Sequence, residues 1–186
     1  NEYALFIGRI SAEKGIDVLL RAWQKCGSRQ LLIFGKGPLE AEVQEAIRNC
    51  ALTAITMKGQ TSRREVITAI NQSQFVIVPS LCFENFPLVI IEAFACGVPV
   101  IASRLGAIAE IVQDQKTGLL FTAGDAEDLS VKLLWAWDHP IEMSVMGRAA
   151  RSEYEAKYTS ERNYQLLMDI YQYSINSHRS NYQTDY

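Results

Sequence analysis

The chain has 186 residues, 48% of them hydrophobic and 21% charged, with a formal net charge of −3. This is the balance of an ordinary globular protein, long enough to bury a core without disulfide or metal staples. It gives no electrostatic reason to expect nucleic acid or an anionic membrane as a partner, and no apolar run is long enough to span a bilayer.

Short apolar runs alternate with longer segments of helical period, the pattern of βαβ units on a parallel sheet. Strands are predicted at Tyr3–Ile7, Leu31–Phe34, Ala54–Met57, Phe75–Val78, Val100–Ala102 and Leu119–Phe121. Helices are predicted at Ile16–Lys25, Leu39–Cys50, Arg63–Asn71, Leu88–Ala95, Ala126–Trp137, Ile141–Lys157 and Ser160–Ile175, the last with Thr159-Ser160 as its N-cap. The fold class is therefore α/β, a Rossmann-like doubly wound parallel sheet of about six strands with helices on both faces and a helical C-terminal end. Residues 1–176 form this domain and 177–186 a polar tail that frays. The chain opens on Asn1 and enters a buried strand at once, so it reads as one half of a larger protein cut at a domain boundary.

Glycine and proline punctuate the strand ends. Gly8, Gly35, Gly37, Gly59, Pro79 and Gly106 each follow a strand, where ligand loops form in such sheets. After the first strand, Gly8-Arg9-Ile10-Ser11-Ala12-Glu13-Lys14-Gly15 brings two cations into one loop: arginine grips phosphate oxygens with paired bonds and lysine adds a mobile charge. On spacing alone, a surface loop with two solvated cations is equally compatible. Gly35-Lys36-Gly37-Pro38 lacks the third glycine of a dinucleotide fingerprint and reads first as a tight strand-to-helix turn; Met57-Lys58-Gly59 reads as a plain loop.

The most informative segment is Glu84–Ser103. Glu84 stands before Pro87, in a loop or at a helix entrance, and Glu92 falls about one turn into the helix that Pro87 opens. Both acids are expected to face one cleft at that helix's N-terminus, where unpaired N–H groups and the positive dipole end accept an anion. Phosphate at the helix mouth and hydroxyls at the carboxylates together suit a nucleotide-sugar. A single acid there would be explained by the helix dipole alone, but two flanking Phe86-Pro87 are not.

Other chemistries find little support. There is no Asp-x-Asp, Gly-x-Ser-x-Gly or Walker lysine loop, and His139 and His178 both fall late in helical segments, so no built-in metal site is expected. Cys26, Cys50, Cys82 and Cys96 contain no Cys-x-x-Cys pair, and three of them stand in apolar or helical surroundings; reduced, small buried side chains and a cytoplasmic location are expected. Trp135/Trp137 and Tyr171/Tyr173 are each spaced by two on helices, so one of each pair is expected in the core and the other at a rim.

Taken in order, Gly8-Arg9 with Lys14-Gly15, Gly35–Pro38, Glu84 with Glu92, Gly97–Ser103, Gly106 with Glu110-Ile111-Val112, and Thr117–Phe121 resemble the C-terminal, donor-binding domain of retaining GT-B glycosyltransferases, family 4 or group 1. The match runs along nearly the whole chain.

The resemblance implies a hexosyltransferase whose donor is a nucleoside-diphosphate sugar, UDP-glucose or a related UDP-hexose first and a GDP-sugar second, with a saccharide or lipid-linked acceptor in polysaccharide or glycolipid synthesis. It implies catalytic roles for Arg9 and Lys14 on the diphosphate and Glu84 on sugar hydroxyls. Gly8, Gly35, Asn85, Phe86, Pro87, Leu88 and Val89 would contact the donor, Glu92 the ribose, and Lys58 the base through its backbone. Pro87 stands where family members often carry glycine and removes one N–H. No cofactor and no metal is implied. The N-terminal acceptor domain is absent from this chain, the helix from Ser160 would cross back to it, and the fragment alone would be weak or inactive. The full-length enzyme could associate peripherally with a membrane. Two readings compete: a sugar-nucleotide epimerase of the same architecture, which would need more acid/base groups at the sugar, and a non-catalytic nucleotide-sugar-binding module.

Overall fold

The structure, a computed structural model, describes residues 3–182, and the side chains of residues 3–176. Its six strands are β1 (Tyr3–Ile7), β2 (Gln30–Phe34), β3 (Ile55–Gly59), β4 (Phe75–Val78), β5 (Val100–Ser103) and β6 (Gly118–Phe121). They pair in the order β3-β2-β1-β4-β5-β6, every pair parallel. The order reverses between β1 and β4, which opens a crevice at the carboxyl ends of those two strands.

The helices are α1 (Ile16–Trp23), α2 (Glu40–Asn49), α3 (Arg63–Gln72), α4 (Leu88–Ala95), α5 (Gly106–Ile111), α6 (Ala126–Asp138), α7 (Pro140–Lys157) and α8 (Ser160–Tyr182). Alternation along the strands divides the core into two layers. Phe6, Ile33, Ile77 and Ile101 face α1 and α6, while Leu5, Val76, Val100 and Ala102 face α3, α4 and α5. Burying each large side chain contributes roughly 1.5–3 kcal/mol, so β4, buried along its whole length, anchors both layers.

β1, β4 and α4 have the bounds read from the sequence, and the other expected elements, the last helix apart, shift by one or two residues at one or both ends. Two short elements were not foreseen: α5, and a 3-10 turn at Ala12–Lys14. Helix α8 continues past Ile175 to Tyr182, so most of the segment read as a frayed tail has helical backbone. The last part of that segment, 183–186, lies outside the described residues.

The aromatic pairs do not divide between core and rim. Trp135 and Trp137 are both half-buried against the first layer, Trp137 edge-on to Phe75 at 5.3 Å and Trp135 stacked on His139 at 4.3 Å. Tyr171 and Tyr173 are both exposed, as is every α8 residue from 160 to 176. His139 joins α6 to α7, its Nδ1 2.8 Å from the carbonyl of Trp135. All four cysteines are free, yet only Cys26 is fully buried; Cys50 is exposed, and Cys82 and Cys96 are half-buried. No helix among the described residues is long and apolar enough to cross a membrane.

Candidate functional site

The loops leaving β1, β2 and β3 are joined edge to edge by backbone hydrogen bonds. Gly8 N–H donates to the Phe34 carbonyl at 3.0 Å, Ile10 N–H to Lys36 at 3.0 Å, and Gly35 N–H to Gly59 at 2.9 Å. This closeness demands glycine at position 35, where φ is +142° and a Cβ would stand 1.9 Å from the Gly8 carbonyl oxygen. On the other side, Leu81 N–H donates to Glu13 at 2.8 Å and fastens the β1 loop to the β4 loop. The sheet thus fixes four loops as one rim. Between β2 and β3 the register passes from Ile33–Met57 to Phe34–Gly59, so Lys58 is the extra residue of a bulge, with its side chain exposed.

Two cavities open along this rim. The larger, about 350 Å³, lies over the ends of β1, β2 and β3 and is lined by Gly8, Arg9, Gly35, Lys36, Gly59 and Gln60 among others. The smaller, about 40 Å³, sits at the crevice between β1 and β4 and is lined by Gly8, Lys14, Ser80, Glu84 and Val89 among others. Ile7 and Gly8 border both, so the two form one continuous groove. Cavities of about 460 and 550 Å³ lie elsewhere, against α6 and α7, and no residue of the β1, β2 or β3 end loops lines them.

The smaller cavity holds the ion pair of the site. Lys14 Nζ is 2.5 Å from Glu84 Oε1, and the Ser80 hydroxyl donates to the same oxygen at 2.8 Å. Lys14 ends the 3-10 turn that Gly15 closes in left-handed conformation. Just before it, the Ser11 hydroxyl donates to Glu13 at 2.7 Å, and this bond is the largest cause holding the Glu13 carboxyl below its ordinary range. Helix α4 begins at Leu88 with Pro87 as N-cap, which provides no side-chain cap. The N–H groups of Leu88 and Val89 therefore have no intrahelical partner and remain available at the mouth.

The two glutamates enter different ion pairs. Glu84 is held by the β1 loop, whereas Glu92 reaches Arg63 of α3 at 3.5 Å and lines neither cavity. Arg63 follows a capping box: Ser62 accepts from Glu65 N–H at 3.3 Å and Glu65 accepts from Ser62 N–H at 3.0 Å. Hydrogen bonds from the Thr61 and Ser62 side chains, Thr61 first, bring the Glu65 carboxyl down to about 2. Gly8, Arg9, Lys14, Gly35, Glu84 and Val89 thus meet along the groove, and Pro87 and Leu88 set the helix mouth. Asn85 and Phe86 are exposed beside it, with Phe86 6.3 Å from the Tyr158 ring. The sequence reading missed Ser80, whose signal was a hydroxyl directly after the proline that ends an all-apolar strand, and it gave no ligand role to Lys36 or Arg63. Among the described residues there is no group of three His, Cys, Asp or Glu placed to hold a metal ion.

Residues 1–153 match the family model described as "Glycosyl transferases group 1". The chain belongs to this family. An uncharacterized glycosyltransferase of Methanocaldococcus jannaschii is 30% identical over 170 residues, which cover 91% of this chain and 48% of that protein. Among solved structures, sucrose-phosphate synthase from Thermosynechococcus elongatus superposes with a TM-score of 0.85 at 28% identity, covering 95% of this chain and 46% of that one. The Anabaena HepE protein in complex with UDP gives the same TM-score of 0.85 at 20% identity, covering 92% of this chain and 49% of that one. The fold is that of the C-terminal domain of GT-B glycosyltransferases. The chain spans about half the length of these three proteins.

Proposed function

We propose that this chain is the donor-binding half of a retaining glycosyltransferase, which takes a hexose from a nucleoside-diphosphate sugar and passes it to a saccharide or lipid-linked acceptor. UDP-glucose or a related UDP-hexose is the preferred donor. The observation that carries the proposal is the meeting of Lys14, Ser80 and Glu84 at the N-terminus of α4, on the crevice between β1 and β4.

The residues divide the work by charge. The Lys14 ammonium has three donors; one is held by Glu84, and the others are free to take oxygens of the diphosphate. Arg9 adds a second cation at the shared rim, and the N–H groups of Leu88 and Val89 bring the positive end of α4. As the glycosidic bond to phosphate breaks, negative charge grows on the leaving diphosphate, and preplaced positive groups lower the barrier without a metal ion. Glu84 keeps an oxygen for a sugar hydroxyl. Glu92, one turn into α4, accepts from the ribose once Arg63 yields. An N-terminal domain would bring the acceptor, and α8 would cross back to it.

The test is calorimetric titration of the chain with UDP, GDP, UDP-glucose and GDP-mannose in metal-free buffer, beside a Lys14→Ala control. Binding of a uridine nucleotide that the control loses supports the reading and its donor. Binding that persists unchanged in Lys14→Ala, and in Glu92→Ala, would sink it.

A further inference from the structure

The cavity over β1, β2 and β3 has a one-sided chemistry. Among the residues that line it the charged ones are Arg9 and Lys36, both cations, and no carboxylate lines it. Lys36 is held there by its backbone, because its carbonyl accepts from Ile10 N–H at 3.0 Å and so fixes the turn between Gly35 and Gly37. Its aliphatic stem crosses the end of β3, with Cε 3.9 Å from where a Cβ on Gly59 would stand. Lys36 and Gly59 line the larger cavity and not the smaller one that holds the Lys14–Glu84 pair. Among the described residues no ion pair holds the Lys36 ammonium.

We infer that Lys36 reads the base of the donor nucleotide and selects a keto edge over an amino edge. The inference rests on the proposed donor site. With the diphosphate at Lys14 and the mouth of α4, Ile7 and Gly8 lead the rest of the nucleotide into this cavity. A lysine ammonium carries donors and no acceptor, so it pairs with a carbonyl oxygen and is opposed by an exocyclic amino group. Uracil and guanine present such an oxygen at the position where cytosine and adenine present an amine. Gln60, whose amide turns to donate or accept, adds affinity for either kind of base and discriminates between neither.

The experiment is titration of the 15N-labelled chain with UDP, CDP, GDP and ADP, following backbone amides by NMR, for wild type, Lys36→Met and Lys36→Arg. Methionine keeps the stem and removes the charge. UDP is expected to bind about tenfold tighter than CDP, and GDP than ADP. Lys36→Met should bring each pair within about twofold by weakening the keto nucleotides, and Lys36→Arg should keep the preference. If all four nucleotides move the Gly8, Lys14 and Gly35 amides without a keto preference, or the preference survives in Lys36→Met, base reading by Lys36 is overturned and the donor site stands. If no nucleotide moves those amides at millimolar concentration, the donor site falls and base reading falls with it.

Discussion

Gly15 and Pro79 touch through their backbones: a Cβ on Gly15 would stand 1.9 Å from the Pro79 carbonyl oxygen, and Gly15 has a φ of +69°. This is where the β1 loop, carrying Lys14, presses on the end of β4, one residue before Ser80. Any side chain at position 15 meets both the clash and the left-handed backbone. Gly15→Ala is expected to lose roughly 2–5 kcal/mol of stability. The loss is to be read as a lower urea midpoint with an unchanged slope. A variant as stable as the wild type would show that the two loops are not packed this way.

Ser80 and Lys14 converge on one oxygen of Glu84, at 2.8 and 2.5 Å. In the proposed site Lys14 touches the diphosphate, while Ser80 only holds Glu84 in place. Lys14→Met should therefore weaken UDP binding roughly ten- to a hundredfold, the loss of one charge-assisted bond. Ser80→Ala should weaken it by no more than about threefold, since its bond to Glu84 is one of two. Titration of both variants with UDP separates the roles, and equal losses would make Ser80 a direct ligand.

The elements most legible in the sequence were those with sharp chemical borders. Phe75–Val78 is four apolar residues ended by Pro79, and Leu88–Ala95 is an apolar run opened by a proline and closed before Cys96-Gly97, so both were bounded correctly. Helix α5 escaped because it is six residues long, starts at a glycine and has no side-chain cap. The loop cations Arg9 and Lys14 were legible because they share one loop with its two glycines. Arg63 was not, because its approach to Glu92 depends on α3 packing beside α4, and Lys36 was not, because its place over β3 depends on loop-to-loop hydrogen bonds. The tyrosines of α8 misled for a related reason: spacing by two predicts a buried face only where a neighbour exists to bury it.

The capping box of α3 makes stability depend on pH in acid. The Glu65 carboxyl lies at about 2 in the fold, against an ordinary value of 4.5, chiefly through its bond from the Thr61 hydroxyl. The folded protein therefore binds this proton more weakly than the unfolded chain. The contribution is fully present above pH 4.5 and fades as the pH falls toward about 2. Glu65→Gln should lower the melting temperature at pH 6 and by a smaller margin at pH 3. A gap that stays constant across that range would mean that the carboxylate is not what caps the helix.

The helix that carries Glu92, α4, is set from behind by α7. Gly147 lies so close that a Cβ there would be 2.3 Å from the Gly97 carbonyl oxygen, and the Arg151 guanidinium donates to the carbonyl of Ala95 at the end of α4. Helix α7 thus supports the far end of α4 by contact and by hydrogen bonding. Gly147→Ala needs no unusual backbone angle, so its effect is purely one of space. It should push α7 from α4 and cost roughly 1–3 kcal/mol. Arg151→Met, which keeps much of the stem but removes the donors, should cost about 1 kcal/mol or less, because the side chain is half exposed. Urea unfolding of the two variants and their combination measures the coupling. Residues that support one helix end together should lose less in the double variant than the sum of the single losses. Strict additivity would place Arg151 outside the support of α4.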